Sequence, residues 1–444
     1  MDAPPTSLPT VDITPSALLQ STEDIVNRIQ NSTANLVDSA SPQQVNFDNT
    51  IRPLAKIDND VKSSVQYIAL FQAVSLSSEL RGASSTAVSI IDKAYLAIFQ
   101  HEGLFGLVDT VYRSPSCLQV DEEDSRLLDR FHRMFVDNGI QLVGSVRERY
   151  SWISRCLIDL RIAFMDNLRN DPGCVWKTKY ELEGVSLAGL EIGSDSRYRI
   201  PLTRPIIGSI LGNCRDANTR AETFLKSQTL YQEKNVPIFR EIMILRNEAA
   251  RLLGFSSFAT QKLRSQLVKS PNKVSSLLNE ISLALQQLAQ QEVRILQQRL
   301  DTPLRLSDFD FYHNQMLRKE YYIGQELLAE YFPGEVTVRH MLDIFETLFA
   351  LAIKELDEIP QNCKWHPDVT VYEAWEANKS VFIGYLDIDI YPRPGKYNHA
   401  ANFNIYPVQM GSGLLLPQPW YVMFKDLRWP TGPSAASRSD YNIS

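Results

Sequence analysis

From about residue 20 to residue 170, apolar residues recur mostly at three- and four-residue steps. Leu127, Leu128, Phe131, Phe135, Leu142, Val146, Tyr150, Ile153, Leu157, Leu160, Phe164 and Leu168 carry the pattern furthest. The spacing predicts a long amphipathic helical segment, bent near Gly139 and ending before Asp171, Pro172 and Gly173. A second helix is expected over NVPIFREIMILRNEAARLLGF, with Ile238, Ile242, Leu245, Ala249 and Leu252 on one face. Pro237 would sit in its first turn and Gly254 would stop it in the left-handed conformation. Ser270 and Pro271 open a third helix by the same logic. Its stripe is Val274, Leu277, Ile281, Leu285, Leu288 and Ile295, running to Leu300. At 1.5 Å per residue it would be roughly 45 Å long. Helices of this length describe a large helical body rather than a barrel or sandwich, so the fold class is mainly α.

Two stretches break the helical pattern. Residues 173–205 combine β-branched residues and prolines, which reads as loop with a short strand. After Trp365, VTVYEAW and SVFIGYLDIDIYP alternate apolar and polar positions and read as strands, a small β element near residues 369–392. The divisions expected are a flexible N-terminal segment (1–20), an N-terminal helical lobe (21–172), a second helical region (173–365), a strand-loop unit (366–413) and an aperiodic, divergent tail (414–444).

The chain has 444 residues, a net charge of -7, 44% hydrophobic and 22% charged residues. No basic block exists to release counterions from a phosphate backbone, so nucleic acid is not an expected partner. No apolar run reaches membrane-spanning length. MDAPPTSLPTVDITPS lacks the cationic and apolar features of a presequence, so a cytoplasmic setting is expected. Cys117, Cys156, Cys174, Cys214 and Cys363 are scattered and suit reduced thiols.

Several chemistries find no motif. HExxH, in which two His one helical turn apart hold zinc and the Glu activates water, does not occur. The nearest two histidines, His340 and His366, are 26 residues apart. His101-Glu102 supplies half of that motif and reads as a helix-end polar pair. There is no GxSxG elbow, GxGxxG or GxxxxGK[ST]. Asp387 and Asp389 would share one strand face; such a pair could bind a cation or work as acid and base, but it is most simply the polar face of a half-buried hairpin. In the loop YPRPGKYNHAANFNIY, Arg393 and Lys396 could clamp a carboxylate, and Tyr397 and His399 could donate hydrogen bonds. The plainer alternative is a turn set by Pro392, Pro394 and Gly395 with its charges in water.

That loop and its surroundings carry a resemblance. KWHPDVTVYEAWEANKSVFIGYLDIDIYPRPGKYNHAANF resembles a segment of the thimet oligopeptidase and saccharolysin family of zinc metallopeptidases. There a VWHxDVxxYxV run leads to GYFYLDLYPRxGKYxHAA. Trp365, His366, Asp368, Val369, Tyr372, Gly384, Tyr385, Asp387, Tyr391, Pro392, Arg393, Gly395, Lys396, Tyr397, His399, Ala400 and Ala401 stand in the matching places. NVPIFREIMILRNEAARLLGFSSFA, KSPNKV, DFDFYHNQM and LLAEYFP follow the family's order upstream.

The resemblance implies an elongated multi-helix body of the thimet oligopeptidase type, with two lobes, a channel between them and a small sheet near the active site. It implies hydrolysis of short peptides, a zinc cofactor held by HExxH and a following Glu, and short peptides as partners, the trimming of a small peptide product being one such task. In the family HExxH comes shortly after PRxGKYxHAA, so the zinc ligands would lie beyond Ser444. The expectation is thus a chain truncated before its catalytic half, with no catalytic or metal-binding residue of the family within it. The alternative is a non-catalytic peptide-binding or regulatory remnant, with Arg393, Lys396, Tyr397 and His399 contacting the peptide.

Overall fold

A computed structural model of the chain describes residues 8–40, 44–114, 121–169, 173–300, 302–322, 330–391, 393–397, 401–406 and 420–424. The fold is mainly helical, as expected. The chain first forms α1 (Pro15–Asp38), α2 (Arg52–Val74), α3 (Ser78–Ile98), α4 (Glu102–Arg113), α5 (Glu122–Asp137) and α6 (Gly144–Arg169). Next come the hairpin β1 (Cys174–Lys177) and β2 (Tyr198–Pro201), then α7 (Arg204–Asn213), α8 (Ala217–Gln228), α9 (Gln232–Leu252), α10 (Phe258–Leu263), α11 (Pro271–Gln297), α12 (Phe309–Glu320) and α13 (Gly334–Phe349). Five strands close the described chain: β3 (Leu351–Glu355), β4 (Thr370–Glu376), β5 (Phe382–Asp389), β6 (Ala401–Tyr406) and β7 (Trp420–Phe424).

Local chemistry sets the boundaries. Thr14 caps α1, its hydroxyl accepting from Ala17 N at 3.2 Å with Pro15 in the first turn, and Asp121 caps α5 from Asp124 N at 2.8 Å. The N-terminal segment is docked earlier than expected: Val11 is buried and its N–H donates to Asn362 O at 2.7 Å. The segment expected to bend near Gly139 is two helices, α5 and α6. Gly139 adopts φ 79°, and a Cβ there would lie 2.6 Å from the Tyr150 ring, so the chain breaks where only glycine fits. Gly254 ends α9 at φ 83°, as the sequence suggests. Pro237, however, lies inside α9, which starts at Gln232, five residues before it. The helix extends through the residues ahead of the proline and gives up one N–H at that point.

The described residues divide into two compact units. One is drawn from Met1–Arg169, Pro237–Lys262 and His340–Leu427, the other from Asn170–Val236 and Leu263–Arg339. In the first, Leu18, Ile25 and Ile29 of α1, Leu54, Val61, Ile68 and Phe71 of α2 and Phe131 and Phe135 of α5 share a core with Val371, Trp375, Phe382, Tyr385 and Ile405 of the sheet. The sheet order is β3-β4-β5-β7-β6; the β5–β7 pair is parallel and the other pairs are antiparallel. Residues 420–424, expected to lie in an aperiodic tail, are therefore a strand inserted beside β5. A five-residue strand preceded by Pro417 and Pro419 leaves too little alternation to read.

The second unit is built on the β1–β2 hairpin, α7 and α8, around Val175, Leu182, Ile200, Ile210 and Cys214. Arg220 of α8 is its buried ionic anchor. It meets Asp308 at 2.6 Å, donates to Cys214 O at 2.7 Å and lies over the Phe311 ring.

Candidate functional site

The strand-loop unit begins with β5. Paired on both sides, by β4 and by β7, it is a central strand with residues of both faces buried. Asp387 and Asp389 do share a face, and both are buried. The half-buried hairpin expected for them is corrected accordingly: strand alternation assigns a face, and the neighbouring elements decide whether it meets water.

Asp389 is the hub of the loop. Arg393 Nη1 donates to its Oδ1 at 2.8 Å and Arg393 Nη2 to its Oδ2 at 2.6 Å, a bidentate fork. Lys396 Nζ lies 2.9 Å from Oδ1, and Trp365 Nε1 donates to Oδ2 at 3.0 Å. Lys396 also donates to the carbonyls of Asp389 (3.0 Å) and Tyr391 (2.7 Å). The side chains of Asp389, Arg393 and Lys396 are 0%, 7% and 2% exposed. Burial pushes the Asp389 carboxyl up, but the donors Arg393, Trp365 and Lys396 outweigh it and hold the group below its ordinary value.

The loop is also fixed to the end of α2. Tyr397 N donates to Ala73 O at 2.8 Å. Gly395 has φ 80°, and a Cβ there would approach Arg81 Nη1 to 2.6 Å and Ser75 O to 2.9 Å. Arg81 Nη1 already donates to Ser75 O and Leu76 O, so it satisfies carbonyls at the helix end.

Beside this hub the same face carries Tyr385, whose phenol is pushed up to about 12 by burial and then by Glu373 and Cys363. Burial and the Asp387 charge raise the Cys363 thiol, which disfavours a thiolate nucleophile.

Of the four residues picked from sequence, the structure brings Arg393 and Lys396 together on one carboxylate. Tyr397 is partly buried in the core beside them. His399 lies outside the described residues. Sequence reasoning missed Asp389 as the acceptor for both cations. The available signal was its spacing, four residues before Arg393 and seven before Lys396, across a turn made by Pro394 and Gly395.

His101 and Glu102 resolve as a helix end. His101 Nδ1 accepts from Leu104 N at 3.1 Å, and Glu102 pairs with Arg147. Among the described residues no group of three His, Cys, Asp or Glu side chains is placed to hold a metal ion.

The part of the chain that holds this loop and its central strand also matches a known enzyme family. The model of Peptidase family M3 matches residues 210–432, half of the chain, and the chain belongs to that family. The match runs through the strand-loop unit and includes β7. Saccharolysin of Saccharomyces cerevisiae is 26% identical over 426 residues, which cover 90% of this chain and 59% of that protein. Oligopeptidase PhomG' of Diaporthe leptostromiformis is 28% identical over 396 residues, 83% of this chain and 32% of that protein. Oligopeptidase A of Escherichia coli is 23% identical over 375 residues, 79% and 54% respectively. The chain spans about half the length of most of the curated relatives it matches. Peptidase family M3 is a family of zinc metallopeptidases, but the described residues do not fit a zinc ion, and HExxH occurs nowhere in the sequence.

Among the described residues no helix is long and apolar enough to cross a membrane.

Proposed function

We propose that this chain is the peptide-handling part of a cytoplasmic zinc oligopeptidase that cleaves short peptides, with the zinc-binding residues supplied from outside these 444. The observation that carries this reading is the M3 match over residues 210–432, taken with the missing HExxH. Arg393 and Lys396 serve by holding the 391–397 loop in shape around Asp389. Tyr397 and His399, at and just beyond the end of that loop in sequence, are the residues proposed to contact the peptide. The alternative, a remnant that binds peptides without cleaving them, is favoured by the same absence of HExxH.

The purified chain should be assayed with quenched fluorescent peptides of graded length, with and without zinc, and with labelled peptides by fluorescence polarisation. Peptide binding without zinc-dependent cleavage is expected, and His399→Ala should weaken that binding. Zinc-dependent cleavage by the 444 residues alone would overturn the placement of the zinc ligands. Neither binding nor cleavage would overturn the peptide-handling role.

A further inference from the structure

Residues 8–13 form neither helix nor strand, yet they are fastened on two sides. Val11 is buried, and Leu8 and Ile13 pack on the core of the first unit. On one side the Tyr67 hydroxyl of α2 donates to Thr10 O. On the other, Val11 N and Asp12 N both donate to Asn362 O, at 2.7 and 3.3 Å, and Cys363 Sγ lies 3.7 Å from Leu8 O. Asn362 and Cys363 belong to one short helical turn, Gln361–Cys363. Just after it comes Trp365, whose indole donates to Asp389 Oδ2. The 391–397 loop then returns from Asp389 to α2, where Tyr397 N donates to Ala73 O. These contacts close a ring: α2, the N-terminal segment, the 361–363 turn, Trp365, Asp389, the loop and α2 again. Every member lies in the first unit, so the ring does not depend on what packs elsewhere on the chain.

We propose that Leu8–Asp12 is a positioning strap for the loop. It fixes where Trp365 meets Asp389 and, through Asp389, where Tyr397 is placed. The 361–363 turn has little hold of its own: Cys363 N donates to Pro360 O at 2.9 Å, and Lys364 N reaches Gln361 O only at 3.5 Å. The two N–H groups that it receives from the strap are therefore a large share of its fastening. A shift of the turn is felt at Asp389, because Arg393 and Lys396 occupy the rest of that carboxylate and a displaced indole leaves one of its buried acceptor positions without a donor. The consequence for peptides rests on the peptide-handling reading of this loop; the hold of the strap on the loop stands without it.

The test removes single strap bonds from the full chain. Tyr67→Phe takes away the hydroxyl that donates to Thr10 O. Val11→Pro takes away the N–H that donates to Asn362 O and keeps an apolar side chain. The first readout is hydrogen exchange, at the Trp365 indole (its resonance assigned by Trp365→Phe) and along the backbone of 391–397. The second is the Kd for a labelled short peptide by fluorescence polarisation. Losing one such bond makes local opening roughly three- to tenfold easier, so exchange should quicken by about that factor and the peptide Kd should rise. Ser84→Ala deletes another hydroxyl bond to α2, to Ile68 O at 2.6 Å, off the ring, and should leave both readouts unchanged. Unchanged exchange at Trp365 and in the loop in both strap variants overturns the proposal. Faster exchange with an unchanged peptide Kd also overturns it, because the strap would then fasten the fold without placing the site. A wild-type chain that binds no peptide counts against the peptide-handling reading instead, and the exchange rates alone then decide the strap.

Discussion

Replacing Asp389 by asparagine is the sharpest probe of the loop. The side chain keeps its volume and loses one charge. As built, the cluster holds one carboxylate and two cations, a formal +1; the variant makes it +2 with both cations still out of water. Removing one partner of a buried pair costs about 3–5 kcal/mol, because the remaining charge stays desolvated. That is a large part of a typical stability of about 5–15 kcal/mol. Lys396→Met, by contrast, brings the cluster to neutrality. Its cost comes from the carbonyls of Asp389 and Tyr391 losing a donor, about 1–3 kcal/mol. The ranking, Asp389→Asn worse than Lys396→Met, follows from the charge count and not from the number of bonds. Asp389→Leu/Arg393→Met/Lys396→Met removes the whole cluster and should recover much of the loss, since apolar replacement of a buried ionic group is often neutral. The assay is urea unfolding by circular dichroism, with hydrogen exchange over residues 370–397 to locate the opening. A loss below about 1 kcal/mol for Asp389→Asn, the range of solvent-exposed pairs, would refute the reasoning. So would a Lys396→Met loss that exceeds it.

Four further outcomes are expected. The Asp389 carboxyl lies below its unfolded value of about 3.9, so its contribution is full above that pH and is lost as pH falls through the folded-state pKa; Asp389→Asn should flatten this part of the acid limb in a pH series of urea midpoints. Tyr385 runs the other way: its phenol is raised to about 12, so its contribution is complete below the unfolded value of about 10 and fades as pH rises toward 12, which a 295 nm titration of wild type against Tyr385→Phe would show. Gly395→Ala forces a Cβ against Ser75 O and Arg81 at a left-handed φ and should destabilise by about 1–3 kcal/mol, read as faster hydrogen exchange at the end of α2. Arg220→Met strands Asp308 in the second unit and should cost about 3–5 kcal/mol, with exchange rising over α8 and α12.

How much of this was legible in the sequence depends on what each signal physically measures. The helical stripes, the start of α11 at Pro271 and the stop of α9 at Gly254 are local events, fixed by side-chain period and backbone sterics, and they were readable. What covers a stripe is not local. Leu278 and Leu285 look in sequence like Leu54 or Phe71, yet the former face water and the latter are core. The same limit applies to the candidate site. Arg393 and Lys396 beside a proline-glycine turn read equally well as a clamp for a carboxylate ligand or as the partners of a carboxylate already present. Asp389 stands at the right distance in sequence, but its burial depends on β5 being a central strand. That in turn depends on β7, thirty-one residues after Asp389, whose five residues give no period of their own. The local pattern gave the residue types of the cluster, and long-range strand pairing gave their burial and role.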